Sequence, residues 1–418
     1  MFDETSFPEQ EHILLAGNLT ITASSQASRY PPIHLRVATG QTHTVLANSL
    51  TRECPTQITA LALDQSPPLS SLSNLGLASF ISTGEFTIYS VNHINPSLSS
   101  RRLTYVPVAP NTRVTPIIQA VYHHPLLITL SENFHLSLYN LSGDSVTHSQ
   151  TLTSFTSYPP SSLVLSATPG GGYKLVLAYA ITVYPAHWSI GATELIISGV
   201  SSSPQPLSLS PIRSNSDPPL TVVATRTTRA FEVPNGWMDE KKLCSMREQW
   251  GRKVQKVADT QTDGKWVIIA PDERSASRTR YSQTSSSSLN SGASSTSSPE
   301  VSTYFSIHSP THLQLYRLHF PSSNSAATPP KLTFVRTLHG QTGSISSLAL
   351  ADGRCVSLSL NGSIWVWDLE GGGGAEVAPA CDIDLEDEGV FGKQTVVFDE
   401  RRIISVGRSG MQIRRFDI

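Results

Sequence analysis

Several clusters in this chain of 418 residues carry side chains that could do chemistry. His123 and His124 are adjacent imidazoles, residues 381–389 read CDIDLEDEG, and glycine runs stand at 170–172 and 371–374. Adjacent residues of a strand point to opposite faces, so the two histidines cannot share one metal ion. The acidic run alternates carboxylates as a calcium loop does, but Lys393 stands where the closing glutamate of such a loop is needed. Neither glycine run leads into a G-K-[ST] at the head of a helix, which a phosphate cradle requires. No HExxH or GxSxG occurs, and scattered Ser, His and Asp do not make a triad. The residues therefore point to a protein without catalytic residues, metal or cofactor.

Arginines are a different matter. Arg226 and Arg229 lie in ATRTTRAF and Arg408 in VGRSG, both turn-like stretches. The guanidinium fork suits carboxylate or phosphate, so three such groups on one face could read an acidic or phosphorylated peptide. Solvated rim arginines are the alternative, and the elements that hold them decide between the two.

Those elements are strands. Short apolar-alternating runs such as ITALAL at 58–63, LLITL at 126–130 and ISSLAL at 345–350 are separated by Gly, Pro, Ser and Asn along nearly the whole chain. The clearest unit is LNGSIWVWDL at 360–369, a turn on Asn361 and Gly362 followed by a strand that ends in an aromatic residue. Aromatic strand ends recur at Tyr89, Tyr139, Tyr184, Phe231, Tyr316, Trp367 and Phe416, with spacings of 50, 45, 47, 85, 51 and 49. A period of roughly 40 to 50 residues built from strands means propeller blades. The pattern predicts an all-β chain, a single β-propeller over 1–418 of seven blades, with eight left open by the additional strand material at 12–38.

The long spacing holds two insertions. Leu243, Met246, Trp250, Val254 and Val257 make one helical stripe within 239–258, expected to be buried against the ring rather than exposed to a partner. Residues 274–303 are serine-rich and too polar to order themselves, and their serines are candidate phosphoacceptors. A last repeat of three strands predicts closure by a strand from the N-terminal region, with 33–38 as the donor.

Composition narrows the function classes. A net charge of -2 with 15% charged residues provides no basic field for nucleic acid. No apolar run approaches the ~18 residues of a membrane span, and no leader is visible, so the expected setting is soluble, in cytoplasm or nucleus. The four cysteines, Cys54, Cys244, Cys355 and Cys381, are far apart and expected to be reduced, with Cys355 in the core.

Residues 338–369 resemble a WD40 repeat: Leu338, Gly340, Ile345, Ser357, Ser359, Gly362, Ile364, Val366, Trp367 and Asp368 fall on its pattern, while Gln341 and Asn361 replace its usual His and Asp. In that family these positions form a buried hydrogen-bond network with a strand hydroxyl and the Trp indole. The resemblance therefore implies a network of neutral amides here and a ring held mainly by apolar contact between blades. Together with MREQWGRKVQKV, TQTDGKWVIIAP and IRRFDI, the C-terminal half resembles fungal F-box proteins with a WD-repeat propeller. That likeness implies a protein or peptide partner on one propeller face and a role in substrate recognition for a ubiquitin ligase. An F-box upstream, which is not visible in these residues, would bring a Skp1-type adaptor and a cullin. A WD-repeat scaffold without a ubiquitin role is the alternative.

Overall fold

The computed structural model describes residues 11–67, 74–107, 115–143, 145–184, 186–199, 220–233, 236–272, 312–321, 329–380, 394–407 and 410–415. These form seven antiparallel sheets, each a meander of consecutive strands. The blades span 11–46, 58–105, 117–153, 158–229, 257–338, 345–378 and 395–415. Six have four strands and the seventh has three among the described residues. The first strand of each blade touches the first strand of the next, and the seventh returns to the first, which closes a ring.

Seven blades are present, so the eight-blade alternative is set aside. The strand material at 12–38 is accounted for within the first blade: Pro32–Val37 pairs with Leu19–Ser24 on one side and Thr42–Leu46 on the other. Both its edges are used, so it donates nothing to the seventh blade, contrary to the sequence expectation. Local hairpins win here because short loops cost little closure entropy, and because Leu19, Ile21, Ile33 and Leu35 are all fully buried on one face.

The aromatic markers were a partial guide. Tyr89, Tyr139, Tyr316 and Trp367 do lie on third strands and are buried. Tyr184 and Phe231 instead belong to a single long blade, one at its central turn and the other just past its outer strand, and Phe416 lies outside the described residues. The first blade carries no aromatic strand end, so one blade counted twice offset one missed.

A shared turn marks the repeat more reliably. In the sixth blade Gly362 N donates to Ser359 O and Ser359 N to Ser363 O, both at 3.0 Å. The second blade repeats this with Gly84 N to Ile81 O and Ile81 N to Glu85 O. Such three-residue hairpins need a left-handed residue at their third position. Gly84 and Gly362 supply it at φ 78° and 83°. In the third blade Phe134 holds the same place at φ 59°, a conformation a bulky residue adopts only when its burial offsets the strain.

Apolar contact between neighbouring blades holds the ring. Six buried clusters fall one at each of the six sequential interfaces, for example Phe86, Tyr122, Leu127 and Tyr139 between the second and third blades and Val356, Ile364, Val396 and Ile403 between the sixth and seventh. The closing interface, seventh to first, has no such cluster among the described residues. It is joined by Arg402, whose guanidinium donates to Gly17 O at 2.7 Å and Thr20 Oγ at 3.2 Å and pairs with Asp399 at 3.0 Å. Cys355 is fully buried in the core, as its strand context predicts.

The inserted helix is shorter than the 239–258 expected. It spans Glu240–Gly251, and Asp239 caps it by accepting from Lys242 N at 2.7 Å. Gly251, a poor helix former, ends it. Val254 then pairs with Trp188, and Val257 opens the fifth blade. Leu243, Met246 and Trp250 form a half-buried stripe, and none of the helix residues is fully buried.

Candidate partner-binding rim

The fourth blade departs from the ring. Its strands run to 10, 11, 12 and 9 residues, against 4 to 8 elsewhere. Their composition, LVLAYAITV and HWSIGATELIIS, favours the extended chain. Tyr158 at the start of its inner strand faces Ala180, yet the hairpin continues for Ile181 to Val183 paired with His187 to Ser189. The hairpin end at Val183 and His187 therefore projects past the inner strand. Because successive strands reverse direction, this tip and the stretch 236–256 that leads to the fifth blade lie on the same face of the ring.

The crossing is sewn to the tip. Trp188 N donates to Val254 O at 2.7 Å and Val254 N to Trp188 O at 2.9 Å. The Trp250 ring then lies 6.3 Å from His187 and 5.5 Å from Phe231, while Tyr158 meets Trp188 edge-on at 5.5 Å. Gln314 Nε2 donates to Arg252 O at 2.9 Å, and the Arg252 guanidinium lies 4.3 Å over Phe334, which ties the end of the helix to the fifth blade. On this scaffold Tyr184, Phe155 and Trp237 are left 89%, 87% and 87% exposed. Exposed aromatics presented on one face mark interaction surfaces.

The charge beside them is positive. Lys253 Nζ sits 4.4 Å over the Trp250 ring, and burial holds its pKa below the ordinary lysine value. Burial first, and the Lys253 charge second, hold His187 below the ordinary histidine range. Its Nδ1 is buried without a hydrogen-bond partner. Nearby carboxylates are partly spent, since Glu248 pairs with Arg252 and Asp239 caps the helix.

Of the arginines singled out in the sequence, Arg226 and Arg229 do not lie in a turn. Both are on Thr221–Arg229, the outer strand of the fourth blade, three residues apart and hence on opposite faces. Arg226 pairs with buried Glu194 at 3.4 Å and donates to Pro321 O, so it braces the fourth blade against the fifth. Arg229 is exposed at the rim end of the strand. Arg408 lies outside the described residues, as do the 274–303 loop and the acidic run at 381–389. The structure thus does not bring Arg226 and Arg229 to one face. The aromatic rim escaped sequence reading because its members come from three separate segments.

The repeat residues behave as a unit. Trp367 Nε1 donates to Ser357 Oγ at 3.2 Å, and Ser357 donates to Gln341 Oε1. Gln341 Nε2 donates to Ser359 Oγ and to Ser363 Oγ, and Ser359 donates to Gly343 O at 3.1 Å. Every partner is neutral, as the Gln341 substitution implies. Asn361 stands apart from this network and accepts from Ser363 N at 3.1 Å, shaping the turn. Gly340 lies against the Trp365 ring at φ 137°, where a Cβ would clash, and Asp368 accepts from the Glu370 and Gly371 amides.

At the inner strands of the first three blades a cavity of about 420 Å³ is lined by Leu14, Leu61, Leu63, Leu75 and Val121 with Asp64 beside them. Asp64 Oδ1 accepts the amides of His124 and Ser66. His123 turns instead toward Tyr173, so the paired histidines serve separate neighbours. The cavity lining contains no nucleophile beside a base.

The family model described as the F-box protein pof12 beta-propeller matches residues 33–387. Among solved structures, the Cps50 (Swd1) beta-propeller domain of Myceliophteria thermophila is similar at 9% identity, covering 99% of this chain and 98% of that one with a TM-score of 0.48. The computationally designed Ika8 protein is similar at 9% identity, covering 97% and 82% with a TM-score of 0.42. BamB from Moraxella catarrhalis is similar at 10% identity, covering 98% and 88% with a TM-score of 0.38. Likeness at this level adds nothing to the ring already read from the sheets. No curated protein matches the sequence.

Proposed function

The chain belongs to the F-box protein pof12 beta-propeller family, and from that premise we propose that it is the substrate-recognition part of an F-box-type ubiquitin ligase. The propeller is a rigid ring that presents a protein-binding face, and its family membership is the observation that carries the reading. A ring held by apolar clusters between blades keeps its rim elements in fixed relation, and such rigidity lowers the ordering cost of binding. The exposed aromatic rim of the fourth blade is the surface we assign to the partner.

Affinity purification of the full gene product from its native organism tests the ligase setting. A Skp1-type adaptor and a cullin are expected in the recovered complex, and a rim-bound protein should accumulate when the gene is deleted. Partners recovered repeatedly without adaptor or cullin would replace this reading by that of a general WD-repeat scaffold.

A further inference from the structure

We propose that the rim of the fourth blade docks an extended acidic peptide of a partner protein, with its carboxylates on Lys253 and Arg229 and an aromatic or aliphatic anchor against Tyr184, Phe155 and Trp237. The inference rests on the substrate-recognition reading for its biological meaning, but its chemistry stands on the rim alone.

The charge balance selects the class of peptide. Lys241, Arg247, Lys253 and Arg229 have no carboxylate partner among the described residues, whereas only Glu232 and Glu240 remain as unpaired carboxylates on the same elements. This local positive surplus sits on a chain whose net charge is -2. Lys253 is held over an aromatic ring rather than in bulk water. It gains from a carboxylate that approaches it, because an ion pair in a partly desolvated site is stronger than one in water.

The geometry selects the form. Trp237 is tied to the start of the helix through its carbonyl, which accepts from Lys242 Nζ at 3.1 Å, and Trp250 meets His187 beside the hairpin tip at the other end. A helix of 12 residues separates the two ends, about 18 Å at 1.5 Å per residue, which about six extended residues span. Exposed Trp and Tyr with flanking cations are the residue types that dominate peptide anchoring.

The test is fluorescence anisotropy with the purified full chain and a fluorescein-labelled peptide, Asp-Glu-Phe-Asp-Glu-Leu-Asp, at low salt. Two control peptides accompany it, one with every acid replaced by Lys and one with Phe and Leu replaced by Ser. Saturable binding of the acidic anchored peptide alone is expected. Trp237→Ser with Tyr184→Ser should weaken it at least about tenfold, as each changes a side chain that is nearly fully exposed. Lys253→Glu should weaken it similarly, and Arg401→Glu on the opposite face should not. Circular dichroism melts must be unchanged for the exposed-aromatic variant, which keeps the measurement interpretable if Lys253→Glu unfolds. Equal binding of the lysine peptide, indifference to the Trp237/Tyr184 change, or tight binding of a phosphoserine peptide lacking the anchor would each overturn the proposal. Because no adaptor is present, failure here leaves the ligase reading standing, and absence of the adaptor in cells leaves this binding standing.

Discussion

Arg402 Nη2 in the seventh blade donates to the carbonyl of Gly17 in the first at 2.7 Å. This bond, with those to Thr20 Oγ and the Asp399 carboxylate, stands where the other six interfaces have an apolar cluster. Apolar burial is cheap to form and tolerant of small shifts, whereas a buried guanidinium is strongly destabilising once a partner is lost. The ring therefore has one seam joined by polar bonds, those of Arg402 and the one from Thr395 Oγ1 to Glu11 O at 2.9 Å. Arg402→Leu is expected to destabilise the fold by about 2–3 kcal/mol. Hydrogen exchange should rise first at Glu11–Ala16 and Arg402–Gly407, with the other interfaces still protected. Uniform loss of protection around the ring would contradict a weak seam.

Trp367 is buried between the fifth and sixth blades and donates its indole N–H to Ser357. Trp367→Ala should cost roughly 3–5 kcal/mol, the range for a large core aromatic. Asn361→Asp should be neutral within about 0.5 kcal/mol, because the Oδ1 that accepts from Ser363 N is retained and the residue lies outside the Gln341 network. Urea unfolding of both variants against the parent checks the pair, and a large effect of Asn361→Asp would mean that the turn is held differently.

Gln341 uses both amide hydrogens and its carbonyl on three serines. Gln341→Leu keeps the bulk but strands the Ser363 hydroxyl, while Ser359 retains the Gly343 carbonyl and Ser357 still accepts from Trp367 Nε1. A loss of about 2 kcal/mol is expected. The same change combined with Ser363→Ala should recover part of it, since removing both partners is cheaper than leaving one buried hydroxyl unpaired. Calorimetric melting of the single and double variants decides this.

Glu85 supplies the pH dependence. Burial pushes its carboxyl up, but bonds from Ser49, Thr51, the Leu50 amide and Thr83 outweigh that and hold it below the ordinary carboxylate range. A depressed folded pKa contributes stability that is complete above the unfolded value and lost as pH falls through the folded one. The loss should therefore fall on the acid side of pH 4.5. Glu85→Gln should lower stability at pH 7 by about 1–2 kcal/mol and flatten the fall of stability below pH 4.5, read from urea midpoints at each pH. An unchanged pH slope would remove Glu85 from that role.

Much of the architecture was legible because it is local. Alternation with a period of two places Val356, Leu358 and Ile364 on one face of the sixth blade without reference to the rest of the chain. The turn at Asn361 and Gly362 is closed by bonds between residues four apart or fewer. The WD-like pattern at 338–369 carried the family because it lies within one repeat. The same localness misled at the fourth blade, where unusually long strands placed two aromatics about one blade apart within a single blade.

The sequence by itself determined that this is an all-β ring of blades with neutral amides at its best-preserved repeat. Only the tertiary structure decided what the charged and aromatic side chains do. Arg226 finds Pro321 at 95 residues' separation and Arg402 finds Gly17 at 385. Phe155, Tyr184 and Trp237 become one rim only when the helix is sewn to the fourth blade. Backbone pairing is set by neighbours a few residues away, whereas a side chain's partner depends on which blade the closed ring brings beside it.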